Sequence, residues 1–369
     1  MNRVYQIALT KVKGLGVKNT RTFLSHFESI EDIFESSPKE IQKISGIPAS
    51  LAQEIRNSKY IEEAEEELEF VDKNKIDVLW FQNKTDFPRR LSHCPDAPLL
   101  LYYKGKANLN AKRTVSIVGT RNATPYGLEL CQELVAELAH PDTLIVSGLA
   151  YGIDVQAHRS SVEHDVSTIG VLGHGLDRVY PHAHREIAKK MIIGNGGLLT
   201  EFPSGTRPDR VNFPMRNRII AGMADVVVVV EAAIKGGALI TAEIANGYNR
   251  DVCTFPGSVR QPFSEGCNYI IKTNRAHLIR DAKDLYYLMN WEKEESRPKE
   301  IQLPLFTKKL NKDESKVMDY ILSQEQDVHI DQIANHCAWP QSKLAIILLE
   351  MELAGHILSL PGKMFRIKN

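Results

Sequence analysis

The stretch Val226-Val-Val-Val-Val-Glu231 is the strongest fold signal in the chain. Five β-branched apolar residues in succession, with no polar residue between them, are typical of a strand covered on both faces. Similar apolar runs recur before and after it, and segments with a helical pattern separate them. These strand-like runs are Thr114–Val118, Leu144–Ser147, Thr168–Leu172, Gly197–Glu201, Val226–Glu231 and Val252–Phe255.

This alternation predicts βαβ units, and therefore an α/β domain over residues 78–290. We expect a central, extended, Rossmann-like parallel sheet with helices on both faces, in which Val226–Glu231 is an interior strand. Ligands of such sheets bind outside the carboxyl ends of the strands. That edge is therefore where functional residues are expected.

Two smaller units flank this domain. Residues 1–75 are predicted to be all-helical, and their turns Gly14-Leu15-Gly16 and Gly46-Ile47-Pro48 resemble helix-hairpin-helix loops. The acidic stretch Ile61–Asp72 is predicted to be an exposed helix. Residues 291–312 are charged and contain proline, so they are interpreted as a linker. Residues 313–369 fit a winged helix-turn-helix, with helices Glu314–Leu322, Ile330–His336 and Gln341–Ala354 and a β wing Ile357–Ile367.

The composition indicates an ordinary soluble protein. The 369 residues carry no net charge and 43% are hydrophobic, as in globular domains. No apolar run approaches the ~18 residues of a membrane helix, and the N-terminus lacks a signal-peptide pattern. The five cysteines are scattered without a C-x-x-C pair, so neither a zinc site nor a disulfide framework is indicated. We expect a cytoplasmic protein without metal or cofactor.

The charge is unevenly distributed along the chain. Residues 1–27 carry no acid but five basic residues, Arg3, Lys11, Lys13, Lys18 and Arg21. This basic face is either a DNA contact or the solvated surface of a structural domain. The helix Gln341–Ala354 sets Lys343 against Glu350 and Glu352. A helix that reads DNA should be basic, so the winged helix is predicted to have a protein-contact or accessory role.

The first glycine turn follows the strand Thr114–Val118 and reads Gly119-Thr-Arg-Asn-Ala-Thr-Pro-Tyr-Gly127. Free amides at such a turn, beside the positive end of a helix dipole, can bind phosphate. Arg121 would add a planar set of donors suited to phosphate. The alternative is a plain strand-to-helix turn with a solvated arginine.

Further turns should meet the first one at the same sheet edge. Lys235-Gly236-Gly237 opens a helix, and residues 207–218 contain four arginines near Phe202 and Phe213. Arg216 and Arg218 are two apart, so one can face the sheet while the other makes a structural contact. The two phenylalanines could stack on bases or lie in the core. The candidate DNA-binding residues are Gly119, Thr120, Arg121, Ser147, Gly148, Arg216, Asn217, Arg218, Lys235, Gly236 and Gly237.

Several catalytic and nucleotide signatures are missing. There is no G-x-G-x-x-G after the first strand and no P-loop, so neither dinucleotide nor nucleoside triphosphate binding is indicated. Asp154 and His158 share a helix face and form either an acid–base pair or, as we favour, a helix cap and a packed histidine. His182 and His184 lack the spacing of a metal site.

In combination, these stretches resemble the DNA processing protein A family, also called DprA or Smf. The resemblance spans about residues 78–280. It lies in Ile117-Val-Gly-Thr-Arg121, Thr124-Pro-Tyr-Gly127, Ser147-Gly-Leu-Ala-Tyr-Gly-Ile-Asp154 with His158, Gly175-Leu-Asp177, Tyr180-Pro181, Phe213-Pro-Met-Arg-Asn-Arg-Ile-Ile-Ala-Gly222, Gly236, Leu239-Ile-Thr-Ala242, Phe255-Pro-Gly-Ser258 and Gly266-Cys-Asn268.

The resemblance implies a cytoplasmic homodimer that binds single-stranded DNA without catalysis. It implies protection of incoming DNA in natural transformation and loading of the RecA recombinase. It also implies a SAM-like helix-hairpin-helix domain before the sheet and a winged-helix-like domain after it. The chain departs from the family pattern at Thr120, where serine is common, at Tyr151, where arginine is common, and at Lys235-Gly236, where Ser-Gly is common. We interpret Lys235 as compensating for the charge missing at Tyr151.

Two other functions remain open. One is a nucleotide-hydrolysing enzyme of the lysine-decarboxylase-like Rossmann group, whose P-G-G-x-G-T-x-x-E motif is approached, with wrong spacing, by Gly236–Glu243. The other is a transcription regulator with a duplex-binding winged helix. The segment Ile270–Leu278 is a candidate dimer surface or part of the core.

Overall fold

The computed structural model describes residues 3–44, 46–291, 310–324 and 327–367. A helical unit, an α/β unit and a winged-helix unit follow one another along the chain. Of the predicted linker 291–312, residues 292–309 lie outside the described residues. Among the described helices, none combines the length and apolar character that crossing a membrane requires.

Short amphipathic helices form the N-terminal unit. Gly14 and Gly46 lie in the turns between them with φ of 77° and 85°, a backbone region that glycine adopts without steric cost. The buried faces pack into one apolar core that contains Ile7, Phe23 and Ile55. The helices are α1 (Arg3–Lys11), α2 (Val17–His26), α3 (Ile30–Glu35), α4 (Pro38–Ile41), α5 (Ala49–Ile55) and α6 (Lys59–Lys73).

A nine-stranded sheet forms the centre of the described structure, in the order β1-β2-β6-β5-β4-β3-β7-β8-β9. Its strands are β1 (Asp77–Trp80), β2 (Leu100–Gly105), β3 (Arg113–Val118), β4 (Thr143–Ser147), β5 (Ser167–Val171), β6 (Gly197–Thr200), β7 (Val226–Val229), β8 (Asp251–Thr254) and β9 (His277–Leu278). The helices of this unit are α7 (Arg89–Ser92), α8 (Pro125–Glu137), α9 (Ile153–Glu163), α10 (Arg185–Ile193), α11 (Asn212–Met223), α12 (Gly237–Gly247), α13 (Glu265–Lys272) and α14 (Ala282–Leu288).

The strands β3 to β8 are parallel, as predicted, and the unpredicted short strand β9 continues the parallel order. The valine-rich strand β7 lies between β3 and β8, and all four of its residues are buried. The predicted strand runs do not include β1 and β2, which extend one edge in antiparallel orientation. The connection between them contains the four-residue helix α7 and joins antiparallel strands, so it is not a βαβ crossover and the alternation used for prediction does not reveal them.

The N-terminal unit packs against that antiparallel edge. Trp80, Leu100 and Tyr102 belong to the same apolar core as the helices α1 to α6. The prediction that the acidic helix is exposed is therefore wrong for one of its faces. Tyr60, Ala64, Glu67 and Val71 of α6 are buried, at the spacing of a single helix face.

The C-terminal unit is a winged helix, as predicted. Its elements are α15 (Lys312–Leu322), β10 (Val328–His329), α16 (Ile330–Cys337), α17 (Gln341–Leu353), β11 (Ile357–Leu360) and β12 (Met364–Ile367). The strands form a small sheet in the order β10-β12-β11. The His93 and His329 rings, from the α/β unit and the winged helix, stack with centroids 4.6 Å apart.

The interior position of β7 leads to a prediction on stability. Val228 is fully buried, whereas Val259 is 82% exposed. Val228→Ala removes two buried methyl groups and leaves a cavity, so we expect it to lower the free energy of unfolding by about 2 kcal/mol. Denaturant unfolding measures the change, with Val259→Ala as the control. Equal effects of the two substitutions would contradict the interior placement of β7.

Candidate functional site

A cavity of about 640 Å³ opens at the carboxyl edge of the sheet. It lies beside β3 and β7, where the strand order reverses: the chain proceeds from β3 toward β4, and from β7 in the opposite direction toward β8. Such a switch point leaves a crevice between diverging turns. The turns after β3 and β7 line the cavity together with α11 and the start of α12.

Arg216, on α11, lies at the floor of this cavity with a side chain only 6% exposed. Its Nη1 donates to the carbonyl oxygen of Val171 at 3.2 Å, and its Nη2 lies 3.9 Å from Asp154 Oδ2. Burial lowers the pKa of Arg216 and raises the pKa of Asp154, while the attraction between the two charges opposes both shifts. The Arg216 guanidinium is therefore fixed beneath the opening, with its charge partly offset by Asp154.

The end of β4 is shaped to accommodate Arg216. A Cβ on Gly148 would overlap with the Arg216 guanidinium, so only glycine leaves room for that group. The preceding Ser147 is buried, and its hydroxyl donates to the carbonyl oxygen of Ile117 at 2.6 Å. This bond ties the end of β4 to the neighbouring strand β3. Both residues are buried, so Ser147 joins the two strand ends and Gly148 leaves room for Arg216.

Two exposed arginines, Arg121 and Arg210, line the mouth of the cavity. The Arg121 guanidinium carbon lies 5.5 Å from the centre of the Phe213 ring. Phe213 in turn stacks on Tyr180 with centroids 6.0 Å apart, so it forms part of the cavity wall. The charged lining residues are Arg121, Asp154, Arg210 and Arg216, which gives the site an excess of positive charge.

The start of α12 adds backbone donors. Gly236 is its N-cap residue and provides no side-chain acceptor, and the first turn contains no acidic residue. Gly236 and the exposed Gly237 both line the cavity. The amides of an uncapped first turn, at the positive end of the helix dipole, are suited to an anion.

The start of α8 is different, because a buried carboxylate occupies it. Glu231 Oε1 accepts from the Thr124 hydroxyl at 2.6 Å, and Oε2 accepts from the Thr124 amide at 2.9 Å. The Thr120 amide also donates to the Glu231 carbonyl oxygen at 2.7 Å. The first glycine turn therefore has fewer free amides than predicted. Glu231 is not among the candidate site residues predicted from the sequence, although an acid directly after the valine strand is a visible signal.

The α/β unit also matches a known protein family. Residues 78–290, more than half of the chain, match the profile of DNA recombination-mediator protein A. The chain belongs to this family.

Two further profiles match the units that flank the sheet. Residues 7–58 match a SAM-like helix-hairpin-helix tandem, and residues 307–363 match the DprA winged helix domain. Together with the sheet, these matches confirm the predicted fold class.

Curated members of the DNA recombination-mediator protein A family resemble the chain over much of their length. Protein Smf of Synechocystis sp. is 36% identical over 288 residues, which cover 75% of this chain and 70% of the relative. The DNA processing protein DprA of Streptococcus pneumoniae is 40% identical over 200 residues, or 54% of this chain and 70% of the relative.

Two solved family structures are also similar. The DNA processing protein A of Streptococcus pneumoniae has a TM-score of 0.66 and 32% sequence identity, and the match covers 77% of this chain and 97% of that one. The protein from Helicobacter pylori, described for its single-stranded DNA binding mode, has a TM-score of 0.53 and 27% identity. That match covers 58% of this chain and 96% of the other.

Some of the candidate residues lie outside the cavity lining. Arg218 forms an ion pair with Glu201, and its Nη1 donates to the Asp96 carbonyl oxygen at 2.5 Å. Of the two neighbouring arginines, Arg216 is thus the one that faces the cavity. Lys235 is exposed just before the lining residue Gly236. Tyr151 is 49% exposed and contacts the His184 ring edge-on.

The histidine of the Asp154–His158 pair is packed, as favoured. His158 Nδ1 lies 2.7 Å from the Thr168 hydroxyl, which itself donates to the Ile145 carbonyl oxygen. Nδ1 must therefore carry the proton, since the hydroxyl oxygen is left to accept. Burial, with Arg216 nearby, lowers the pKa of His158 to about 3. Asp154 is not the helix cap, because Gly152 occupies that position of α9.

The side chains that a nucleotide hydrolase or a metal site would use lie outside the cavity lining. Glu243, the nearest match to a hydrolase glutamate, has a 65% exposed side chain and pairs with Arg275 at 3.0 Å, outside the cavity lining. His184 is buried, with Nδ1 2.8 Å from the Leu149 carbonyl oxygen, and His182 is exposed. No cluster of metal-ligating side chains occurs in the described ranges.

The buried Glu231 leads to a prediction. Glu231→Gln replaces one accepting oxygen by a donor, so a donor of Thr124 loses its partner. We expect the free energy of unfolding to fall by about 1–3 kcal/mol, measured by denaturant unfolding. Glu129→Gln, at an exposed position of α8, serves as the control. An unchanged stability of the Glu231 variant would show that its hydrogen bonds contribute nothing.

A second prediction concerns pH. The folded-state pKa of His158, about 3, lies below its ordinary value of 6.5, so the unfolded chain binds more protons between these values. The contribution of neutral His158 to the free energy of unfolding should be fully present above about pH 6.5 and should be lost as the pH is lowered toward 3. The decline should be shallower in His158→Gln, with the exposed His164→Gln as control. Parallel profiles of all three proteins would refute the assignment.

Proposed function

We propose that this chain binds single-stranded DNA at the carboxyl edge of its sheet and performs no catalysis there. The observation that carries the proposal is the cavity at the switch point, where three arginines outnumber the one aspartate. An aromatic pair and an uncapped helix start adjoin these charges. Cationic grooves with aromatic faces are suited to single strands of any sequence.

The exposed and the buried residues of the site would have different roles in binding. Arg121 and Arg210 can move at the mouth and neutralise phosphates, while Arg216 supplies a fixed charge from the floor. The Gly237 amide would orient a phosphate, whereas the Gly236 amide already donates to the Ala233 carbonyl oxygen at 2.9 Å. The stacked pair of Phe213 and the 48% exposed Tyr180 offers an aromatic surface on which a base can stack. Such backbone contacts position a strand without reading its sequence.

The family supports this choice over the alternatives. The similar protein of Helicobacter pylori is described as having a single-stranded DNA binding mode. In keeping with the family resemblance, we extend the proposal to a cytoplasmic homodimer that protects incoming DNA in transformation and loads the RecA recombinase. The exposed position of Glu243, paired with Arg275, favours binding over nucleotide hydrolysis.

The winged helix is proposed to serve protein contacts. Lys343 of α17 is held by Asp313 at 2.7 Å and lies 4.2 Å from the centre of the Trp339 ring. Its charge is therefore already engaged. Ile346, Leu349 and Leu353 of the same helix are 61%, 56% and 80% exposed. An apolar exposed helix face suits a protein partner better than phosphates.

Fluorescence anisotropy with a labelled single-stranded oligonucleotide tests the proposal. Arg121→Ala should weaken binding about ten-fold and reduce the slope of log affinity against log salt by about 0.7, the value for one phosphate contact. Arg159→Ala is the matched control, since Arg159 is exposed outside the cavity lining. Affinity that stays constant over a four-fold rise in salt would exclude phosphate binding.

Competitors separate the proposal from the enzyme alternative. Unlabelled single strands should displace the probe, and matched duplex or nucleoside monophosphates should do so poorly. Incubation with nucleoside monophosphates should release no free base. Displacement by mononucleotides at low concentration, with base release, would favour the hydrolase.

A further inference from the structure

The segment 201–211 joins β6 to α11 and is here named the arginine loop. It contains Arg207 and Arg210, and Arg210 lines the mouth of the cavity. Thus one of the two exposed cations of the site lies on a connection without regular secondary structure. Its position depends on what holds the loop in place.

One anchor of the loop comes from the N-terminal unit. Glu67 of α6 accepts from the Ser204 amide, at 2.8 Å to Oε1 and 3.0 Å to Oε2. Its Oε2 also accepts from the Ser204 hydroxyl at 2.6 Å. The two residues are 137 positions apart in the chain. A single serine of the arginine loop therefore satisfies both oxygens of this carboxylate.

The burial of Glu67 sets it apart from its neighbours. It is 5% exposed, and it is the one buried acid among the described residues of α6. Burying a carboxylate is costly unless hydrogen bonds compensate for the lost hydration. Helix packing alone would be served by an apolar residue at this position. The carboxylate is thus explained by the loop that it holds.

The connection between β5 and α10 also contacts the arginine loop. Asp177 Oδ1 accepts from the Gly205 amide at 3.1 Å, and the Gly175 amide donates to the Thr206 carbonyl oxygen at 3.2 Å. Leu176, between them, packs against the apolar core of the N-terminal unit. This connection leads on to Tyr180 of the cavity wall. The N-terminal unit therefore supports two walls of the site.

We propose that Glu67 is a positioning residue of the DNA site, which acts through Ser204 to hold the arginine loop and, with it, Arg210. The inference rests on the proposed function. It assigns the N-terminal unit a role that needs no contact between that unit and DNA. Accordingly, Arg3 and Arg21 of its basic face are engaged within the protein: Arg3 pairs with Asp72 and Arg21 lies over the Phe81 ring.

The test uses the full chain with Glu67→Gln, Ser204→Ala, Arg210→Ala and the double variant Glu67→Gln/Arg210→Ala. The control is Glu66→Gln, at an exposed position of the same helix. We expect Glu67→Gln to weaken single-strand binding roughly five- to ten-fold, as the loss of charge-assisted hydrogen bonds implies. Its salt slope should decrease by about 0.7, as for Arg210→Ala. The double variant should bind no worse than the weaker single variant.

The salt slope separates positioning from general damage. A variant that only unfolds in part loses active molecules and keeps the slope of the remaining ones. Thermal unfolding of each variant is recorded alongside. If Glu67→Gln does not fold, the binding and salt slope of Ser204→Ala test the proposal instead, since this substitution removes only one hydroxyl from a surface loop. Additive effects of Glu67→Gln and Arg210→Ala, or unchanged binding by Glu67→Gln, would overturn this inference alone. Absence of binding by the unmodified protein would overturn the proposed function and this inference with it.

Discussion

A guanidinium taken out of water must be stabilised by what surrounds it, and Arg216 imposes this requirement where three elements meet. Asp154 must lie in the first turn of α9 to oppose its charge, and residue 148 must lack a side chain to leave it room. The end of β5 supplies a carbonyl oxygen. The turns of two strands and the direction of α11 are thus mutually dependent. The cavity has its shape because one buried cation needs all of these partners.

The helices α8 and α12 both begin at this edge, but the positive ends of their dipoles have different partners. The start of α8 is neutralised internally by Glu231, whereas that of α12 has no side-chain acceptor. Both follow interior strands, so the difference lies in side chains and not in topology. The hydrogen bonds at the start of α8 stabilise the fold, whereas the start of α12 is open to a ligand. The arginines divide similarly, since Arg218 pairs with Glu201 while Arg121 is exposed.

Local patterns sufficed for the strands β3 to β8 and the winged helix, because uninterrupted apolar runs and helix periodicity report burial directly. They did not predict the edge strand β9, whose two residues are exposed. They also placed the glycine turns at one edge. They could not decide between Arg216 and Arg218, since a spacing of two separates the side chains without showing which points inward. That choice depends on Glu201 and Asp154, which are distant in sequence. Glu67 was misjudged for the same reason: its partner Ser204 is visible only after the chain has folded.

The unequal helix starts at the cavity have a consequence for how a strand would lie there. A nucleic acid strand has a direction, and a site with one sealed and one open helix start is not symmetric about its centre. For a strand bound as proposed, the phosphate at α12 would be the 5′ neighbour of the base stacked near Phe213 in one orientation and its 3′ neighbour in the other. The two orientations then differ in binding free energy, so that the protein would favour one polarity of the DNA it holds.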